Sequence, residues 1–200
     1  MNFVQGIRYA VLPFFSNRDT IRKIAGKVVF QVEFNDIYDK NRKLTGRVHR
    51  RGTPWKSGEY GLVVCVWVHD GQGRILLTRR AKGKSYAGTW ENSGGAAKAG
   101  ETSRQAIARE LYEETGIRAQ ESEFELLTST RERNIFYDHY CLRCQVPLHQ
   151  VRLQPGETDG VQWVTFEEIH DMIKRREICG IIANQFLYEE PKLRKRQTAQ

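Results

Sequence analysis

A helix-length segment that ends in crowded carboxylates occupies residues 102–116 of this chain. Thr102 followed three residues later by Gln105 has the form of an N-terminal capping box, and Gly116 is typical of a helix that ends in the left-handed conformation. At about 100° per residue, one arc of this helix is apolar and is expected to face a core. That arc consists of Ile107, Ala108, Leu111 and Tyr112.

Three carboxylates, those of Glu110, Glu113 and Glu114, fall within a neighbouring arc of about 100°. They repel one another and oppose the helix dipole, which together cost about 1 kcal/mol on an exposed helix. A divalent cation would offset this cost, because Mg²⁺ takes oxygen ligands, usually one or two carboxylates together with substrate phosphates. A solvated acidic face is the alternative, and the spacing alone does not separate the two.

A longer pattern that includes this helix resembles the signature of the Nudix hydrolases. It consists of Gly95, then Glu101, then R-E-L-x-E-E-x-G-I from Arg109 to Ile117, with every fixed position filled. The resemblance implies an α/β fold, the Nudix α/β/α sandwich, in which a mixed sheet lies between helices and the signature forms a loop–helix–loop. It also implies an enzyme that acts on phosphorus-containing anhydrides and cleaves a diphosphate linkage in a nucleoside diphosphate or another organic diphosphate.

The resemblance assigns a metal site to residues of the signature. Mg²⁺, with Mn²⁺ as a substitute, is expected to bind one backbone carbonyl and three carboxylates. These ligands are the carbonyl of Gly95 and the side chains of Glu110, Glu113 and Glu114. Arg109 is expected to orient the carboxylates by ion pairing and is included in the expected catalytic set.

Two further site residues are expected outside the helix. Many members of the family carry a glutamate six residues before a tryptophan, and Glu157 holds that position before Trp163. Either Glu110 or Glu157 is expected to act as the general base, and the sequence does not choose between them. The segment from residue 79 to residue 84 is rich in positive charge, and Arg80 is the candidate in it for binding substrate phosphate.

The sequence before the signature resembles an isopentenyl-diphosphate-isomerase-like bacterial branch of the family. The likeness lies in residues 36–49 and in the W-E-N-S segment that begins at Trp90. The isomerases place a catalytic cysteine directly after the latter segment, where this chain has Gly94 and Gly95. Isomerisation of an isopentenyl-type diphosphate is therefore an alternative function that the missing thiol disfavours. His49 is expected to be a surface or hydrogen-bonded histidine.

Charge and length divide the chain into three parts. Residues 1–31 are expected to be an N-terminal extension of unknown role, residues 32–190 the Nudix domain, and residues 191–200 a basic, frayed tail. The net charge of +8 is carried by basic flanks, whereas residues 60–190 are slightly acidic. Basic flanks attract phosphorylated ligands and nucleic acid. A non-catalytic nucleotide- or RNA-binding protein is thus a third hypothesis, although nucleic acid is not the favoured partner.

Composition excludes several other classes of protein. With 40% hydrophobic and 28% charged residues, the chain is globular material and not a disordered polymer. No apolar run approaches the ~20 residues of a membrane helix, and the first residues lack the features of a signal peptide. The dispersed cysteines, including Cys141 and Cys144, suggest neither a disulfide framework nor a zinc site. We expect a cytoplasmic protein with a small-molecule diphosphate substrate and no membrane partner, and the N-terminal extension can pair two chains into a homodimer.

Strand patterns flank the helix on both sides. The segments GLVVCVWVHD, from residue 61, and RILLTRR, from residue 74, predict two buried strands joined by a turn that contains glycine. Two apolar stretches after the helix predict a further pair. Thr165 with Glu168 predicts a second capped helix.

Overall fold

The computed structural model of the chain describes residues 20–24 and 27–198. The strands are β1 Thr20–Ile24, β2 Lys27–Gln31, β3 Phe34–Tyr38, β4 Leu44–Arg50, β5 Gly61–His69, β6 Arg74–Arg80, β7 Trp90–Glu91, β8 Ser93–Ala96, β9 Glu125–Glu132, β10 Ile135–Arg143 and β11 Thr158–Thr165. The α-helices are α1 Ser103–Thr115, α2 Phe166–Lys174 and α3 Gly180–Thr198. In the predicted N-terminal extension, β1 and β2 pair as an antiparallel hairpin, and the remaining positions lie outside the described residues.

The main sheet has the strand order β11-β6-β5-β10-β9. Strands β5 and β10 run parallel and the other pairs are antiparallel, so the sheet is mixed. Strand β5 pairs with β6 only at Val68 and His69. Earlier in β5, at residues 63–66, its partner is β8. The two central strands therefore diverge, and the segment 90–96, which contains β7 and β8, enters the gap between them.

Helices cover both faces of this sheet. Every residue of β5 is buried, as is expected for a strand that is packed on both sides. Val64 and Val66 belong to a core with Ile107 of α1, whereas Trp67 belongs to a second core with Phe186 of α3. The predicted α/β/α sandwich with a mixed sheet is thus confirmed.

Helix α1 begins and ends as the sequence predicts. The Thr102 hydroxyl accepts a hydrogen bond from the backbone N–H of Gln105, and the Gln105 side chain accepts one from the backbone N–H of Thr102. Gly116 has φ 72°, in the left-handed region, and its N–H donates to the Tyr112 carbonyl. Thr165 and Glu168 form the same type of box at α2, which confirms that prediction as well.

The C-terminal end of the chain differs from the prediction. Helix α3 continues to Thr198 with Pro191 inside it, so the predicted boundary between domain and tail at residue 191 falls within a helix. A proline inside a helix costs about 3 kcal/mol, which is why the sequence suggested a break at this point. Leu193 is completely buried beyond the proline, and this packing stabilises the last turns. Among the described helices, none is both long enough and apolar enough to cross a membrane.

Asp138 of β10 connects three separate parts of the fold. Its buried carboxylate accepts hydrogen bonds from Arg42 in the β3–β4 turn at 2.8 Å, from Ser103 at the start of α1 at 2.5 Å and from Ser129 of β9 at 2.6 Å. Burial alone would raise the pKa of Asp138, but these hydrogen bonds hold the pKa below its ordinary value. The carboxylate is therefore a charged anchor for the N-terminal end of α1.

We expect Asp138→Asn to lower the free energy of unfolding by about 2 kcal/mol, because hydrogen bonds to a charged group are lost. Since the folded-state pKa is depressed, this stabilisation is fully present above the unfolded value of about 3.9 and is lost as the pH falls through the folded value. Urea denaturation of both proteins from neutral to acid pH measures the difference.

The control is Asp171→Asn, which removes an exposed ion pair with Lys174 on α2. This variant should unfold at the same urea concentration as the wild-type protein. A difference between Asp138→Asn and the wild type that persists unchanged at the most acid pH would contradict the role given to the Asp138 charge.

Candidate active site

Two glycines bring the segment 90–96 close to both β5 and α1. A Cβ atom on Gly94 would lie 2.3 Å from the carbonyl oxygen of Val64 in the neighbouring strand β5, next to Cys65, which is the residue opposite Gly94. A Cβ atom on Gly95 would lie 2.4 Å from Oε1 of Glu110. The missing side chains therefore allow the Glu110 carboxylate to lie directly against the backbone of β8.

Arg109 holds the acidic side chains of this region together. Its guanidinium donates to both carboxylate oxygens of Glu101, at 2.6 and 2.9 Å, and to Oε1 of Glu110 at 2.8 Å. Longer hydrogen bonds reach the Ala96 carbonyl at 3.1 Å and Glu113 at 3.3 Å. Burial opposes both charges, but this pairing raises the pKa of Arg109 and lowers that of Glu101. Arg109 thus fixes the loop before α1 and the carboxylates on α1 relative to each other.

Like charges crowd around Glu114. Burial raises its pKa well above the ordinary value, and the negative charges of Glu110, Glu91 and Glu157 raise it further. A hydrogen bond with Ser93 only partly offsets these effects. Burial also raises the pKa of Glu110, despite the neighbouring Arg109 guanidinium. Burial and the repulsion from other carboxylates together outweigh the hydrogen bond from Ser93 that stabilises the Glu114 carboxylate. A bound cation would therefore be favourable at this position.

The sequence analysis did not identify Glu91, which the fold brings to the site. Glu91 is buried in β7, and burial raises its pKa even though both carboxylate oxygens lie within 2.7 Å of the Arg80 guanidinium. The local sequence gives no signal for this position, since it depends on the pairing of β7 with β6.

Arg80 lies in a different environment from the predicted one. It is the last residue of β6, it is buried, and it donates to Glu91 and to the Ser85 carbonyl. Arg80 therefore lies at the end of a strand and not in an open loop, and its contact with Glu91 connects it to the carboxylate cluster. Binding of substrate phosphate by Arg80 stays a prediction.

Glu157 lies in the loop directly before β11. Its side chain is 42% exposed and pairs with Lys84. The neighbouring Thr158 hydroxyl approaches the Glu114 carbonyl at 3.4 Å, which ties this loop to the end of α1. The negative charge of Glu157 thus acts on Glu114, whereas the roles of the predicted glutamates remain predictions.

The residue types at this site suit a hard divalent cation, although the side chains do not converge on one point. In residues 20–24 and 27–198, no three carboxylate, histidine or cysteine side chains converge closely enough to hold a metal ion. Glu110 and Glu113 are both bonded to Arg109. However, the donors are all oxygen atoms, as Mg²⁺ and Mn²⁺ prefer, and the close contact between Gly95 and Glu110 brings a carboxylate to the backbone.

His49, Cys141 and Cys144 have surroundings that differ from those of the carboxylates. His49 is buried, and its ring stacks on Trp55 with 3.7 Å between the ring centroids and an interplanar angle of 10°. Burial lowers the pKa of His49. Cys141 is buried in β10, and Cys144 follows that strand as a free thiol.

Comparison with known proteins agrees with the pattern in the sequence. The family model of the NUDIX domain matches residues 59–179. A Nudix hydrolase of Listeria monocytogenes, itself uncharacterized, is 35% identical over 136 residues, which cover 67% of this chain and 80% of that protein. The crystal structure of DR0079 from Deinococcus radiodurans has the same fold, with a TM-score of 0.65 at 22% identity, covering 78% of this chain and 99% of that one.

The likeness to the isomerases is partial. An isopentenyl-diphosphate Delta-isomerase of Leifsonia xyli is 44% identical over 71 residues, which is 34% of this chain and 36% of that enzyme. The family is thus established, whereas the proposed isomerase-like branch has support from only part of the chain.

We expect Gly94→Ala and Gly95→Ala to differ in stability. The methyl group introduced at position 94 would meet rigid backbone, so this variant should lose about 1–3 kcal/mol of unfolding free energy. The methyl group introduced at position 95 would meet the flexible end of Glu110, which can turn away at a smaller cost. Urea denaturation measures both losses, and a larger loss for Gly95→Ala would contradict the packing described here.

Proposed function

The chain belongs to the Nudix hydrolase family, and from that premise we propose that it is a divalent-metal-dependent hydrolase that cleaves a diphosphate linkage in a nucleoside diphosphate or another organic diphosphate. The observation that carries the proposal is the group of carboxylates at the Gly95 edge, where burial and like charge raise the pKa of Glu114. A fold does not need this arrangement for stability, and a cation that binds phosphate would compensate it.

Metal binding is assigned to the predicted ligands. The Gly95 carbonyl, Glu110, Glu113 and Glu114 would hold Mg²⁺ or Mn²⁺. The bound ion would polarise the phosphoryl oxygens of the substrate and neutralise charge that develops in the transition state. Arg109 would act as a positioning residue, because its hydrogen bonds fix the Glu110 and Glu101 carboxylates before substrate arrives.

We assign the general base to Glu157 in preference to Glu110. The Glu110 side chain is only 14% exposed and accepts a hydrogen bond from Arg109 at 2.8 Å, so an attacking water molecule has little access to it. Glu157 lies on a loop and is 42% exposed, although it pairs with Lys84. It can therefore reach an attacking water molecule and take a proton from it.

The isomerase alternative is weakened by the packing at position 94. A cysteine there would place its Cβ 2.3 Å from the Val64 carbonyl oxygen, so the backbone of this chain does not accept the isomerase residue at this point. The cavity next to it contains the thiol of Cys65, and burial strongly raises the pKa of that thiol.

The binding-protein alternative relied in part on the basic C-terminal residues. In the fold these side chains are engaged with the domain itself. Arg194 pairs with Glu190 and Glu167, and Arg196 pairs with Glu125. Residues 191–198 are therefore a poor candidate for a surface that binds polyanions.

The proposal is tested by incubation of the purified chain and Mg²⁺ with a panel of diphosphates. The panel contains nucleoside triphosphates, ADP-ribose, a coenzyme A derivative and isopentenyl diphosphate, and chromatography separates the products. Cleavage that stops when EDTA removes the metal would support the proposal. A rearranged but uncleaved prenyl diphosphate would favour the isomerase, and retention of every compound unchanged would contradict hydrolysis.

We expect Glu114→Gln to lower kcat/KM by at least about 100-fold on the substrate found in this panel. The free energy of unfolding should stay the same or rise, since the substitution removes a charge that burial and neighbouring carboxylates disfavour. Steady-state kinetics and urea denaturation give the two measurements. Glu121→Gln, at an exposed glutamate after α1, is the matched control and should leave both unchanged. Full activity in Glu114→Gln would remove this residue from the metal site.

A further inference from the structure

The loop between β8 and α1 connects two groups of the proposed metal site. It follows Gly95, whose carbonyl is a predicted metal ligand, and it contains Glu101, which accepts hydrogen bonds from Arg109. A backbone carbonyl cannot turn toward an ion as a side chain does, so its position depends on how the neighbouring backbone is held. The contacts of residues 97–101 therefore bear on the metal site.

Asn35 of β3 makes a buried contact with this loop. Its side chain lies on the inner face of the β3–β4 hairpin, is only 6% exposed, and donates a hydrogen bond from Nδ2 to the Ala97 carbonyl at 2.6 Å. The N–H of Ala97 donates to the Leu62 carbonyl of β5 at 3.0 Å. Ala97, two residues after Gly95, is thus bound by the main sheet on one side and by the hairpin on the other.

Two further hydrogen bonds join the same strand to the loop. The N–H of Ala99 donates to the Phe34 carbonyl at 2.8 Å, and the N–H of Gly100 donates to Oδ2 of Asp36 at 2.7 Å. Three consecutive residues of β3 therefore bind three positions of the loop. Bonds of this kind restrict the loop to one conformation before a metal ion binds.

Ion pairs connect the hairpin to α1 as well. Lys98 in the loop lies 3.5 Å from Glu113 and 3.7 Å from Glu33, the residue directly before β3. Glu33 also pairs with Arg51, directly after β4. The Lys98 side chain is about one-third exposed, and exposed ion pairs contribute little. The buried hydrogen bond of Asn35 is therefore the stronger constraint on the loop.

We propose that β3 completes the metal site by fixing this loop, and that Asn35 is the positioning residue through which it acts. The inference rests on the proposed function, because it takes the Gly95 carbonyl and the carboxylates of α1 as ligands of Mg²⁺ or Mn²⁺. Residues that orient metal ligands without contacting the ion typically change its affinity by about 10- to 100-fold. The hairpin precedes residues 59–179, which match the family model, so this contribution comes from outside the matched segment.

A purely structural role for Asn35 makes a different prediction. Ile37, on the same face of β3, is 3% exposed, so the hairpin also packs against the rest of the protein. If the Asn35 hydrogen bond only stabilises this packing, its loss affects the whole fold and leaves the affinity of the folded protein for metal unchanged. If Asn35 positions the loop, its loss acts on residues 96–101 and on the affinity for metal.

The first test compares Mn²⁺ binding by the full chain and by Asn35→Leu, which has a similar volume and no donor. Electron paramagnetic resonance of free Mn²⁺ gives the Kd without any substrate, and we expect the variant to raise it by roughly 10- to 100-fold. The control is Thr45→Val, which removes the hydrogen bond from the Thr45 hydroxyl to the Ile37 carbonyl within the hairpin. This control should bind Mn²⁺ as the wild-type chain does, and an equally unchanged Kd in Asn35→Leu would overturn the inference.

Hydrogen exchange of the metal-free protein gives a second readout. In Asn35→Leu, residues 96–101 should exchange faster, while β5, Gly61–His69, should exchange at the wild-type rate. Faster exchange that includes β5 would show that Asn35 serves the fold as a whole and would overturn the inference. If Asn35→Leu does not fold, Asp36→Ala replaces it in both measurements, since it removes the bond to Gly100 from a partly exposed side chain. A wild-type Kd for Mn²⁺ in that variant would also contradict the role of β3.

Kinetics separates this inference from the proposed hydrolysis. On a substrate found in the diphosphate panel, Asn35→Leu should lose activity at a limiting Mn²⁺ concentration and regain it at a saturating one. Mn²⁺ binding that depends on Asn35, without cleavage of any diphosphate, would support the inference and contradict the hydrolase. Cleavage with the same dependence on Mn²⁺ in both proteins would support the hydrolase and contradict the role given to Asn35.

Discussion

The site depends on one close approach, that of the Gly95 backbone to the carboxylate of Glu110. A side chain at position 95 would occupy the place of that carboxylate, with only 2.4 Å between its Cβ and Oε1. The approach is possible because β5 and β6 diverge and β8 enters between them. Helix α1 is then held at a fixed distance from β8 by its own core contacts, such as those of Ile107 and Leu111. Packing on one side of the helix thus sets the position of the acidic groups on the other.

The positive charge of Arg109 is shared unequally among the carboxylates of this region, and this affects their pKa values. Arg109 supplies positive charge to Glu101 and Glu110, and the pKa of Glu101 is lowered as a result. Glu114 lies among carboxylates, and its pKa is raised. One part of the cluster is therefore a structural ion pair, whereas in the other part the charged form of Glu114 is disfavoured. Repulsion of this kind lowers stability and raises affinity for a cation, as is common where a fold gives up stability for function.

Sequence patterns predicted the features that depend on neighbouring residues. The capping box of Thr102 and Gln105 involves positions three apart, and the buried strands follow from short apolar runs. What could not be predicted depends on contacts between distant segments. Arg80 and Glu91 form a buried pair only because β6 and β7 lie side by side. Likewise, Pro191 signals a helix end locally, and tertiary packing of the following turn overrides that signal.

The two faces of the sheet carry different groups of side chains. The α1 face carries the carboxylates, and the α3 face carries the cavity with His139 and Tyr137 in its lining. The segment from Glu91 to Gly95 belongs to both, because successive residues of an extended chain point to opposite faces. Substitution of cavity residues on β10 and α3 can therefore change the cavity while the carboxylates keep their positions. Asn92 is the point where this independence ends, since it lies between Glu91 and Ser93, which both contact the acidic cluster.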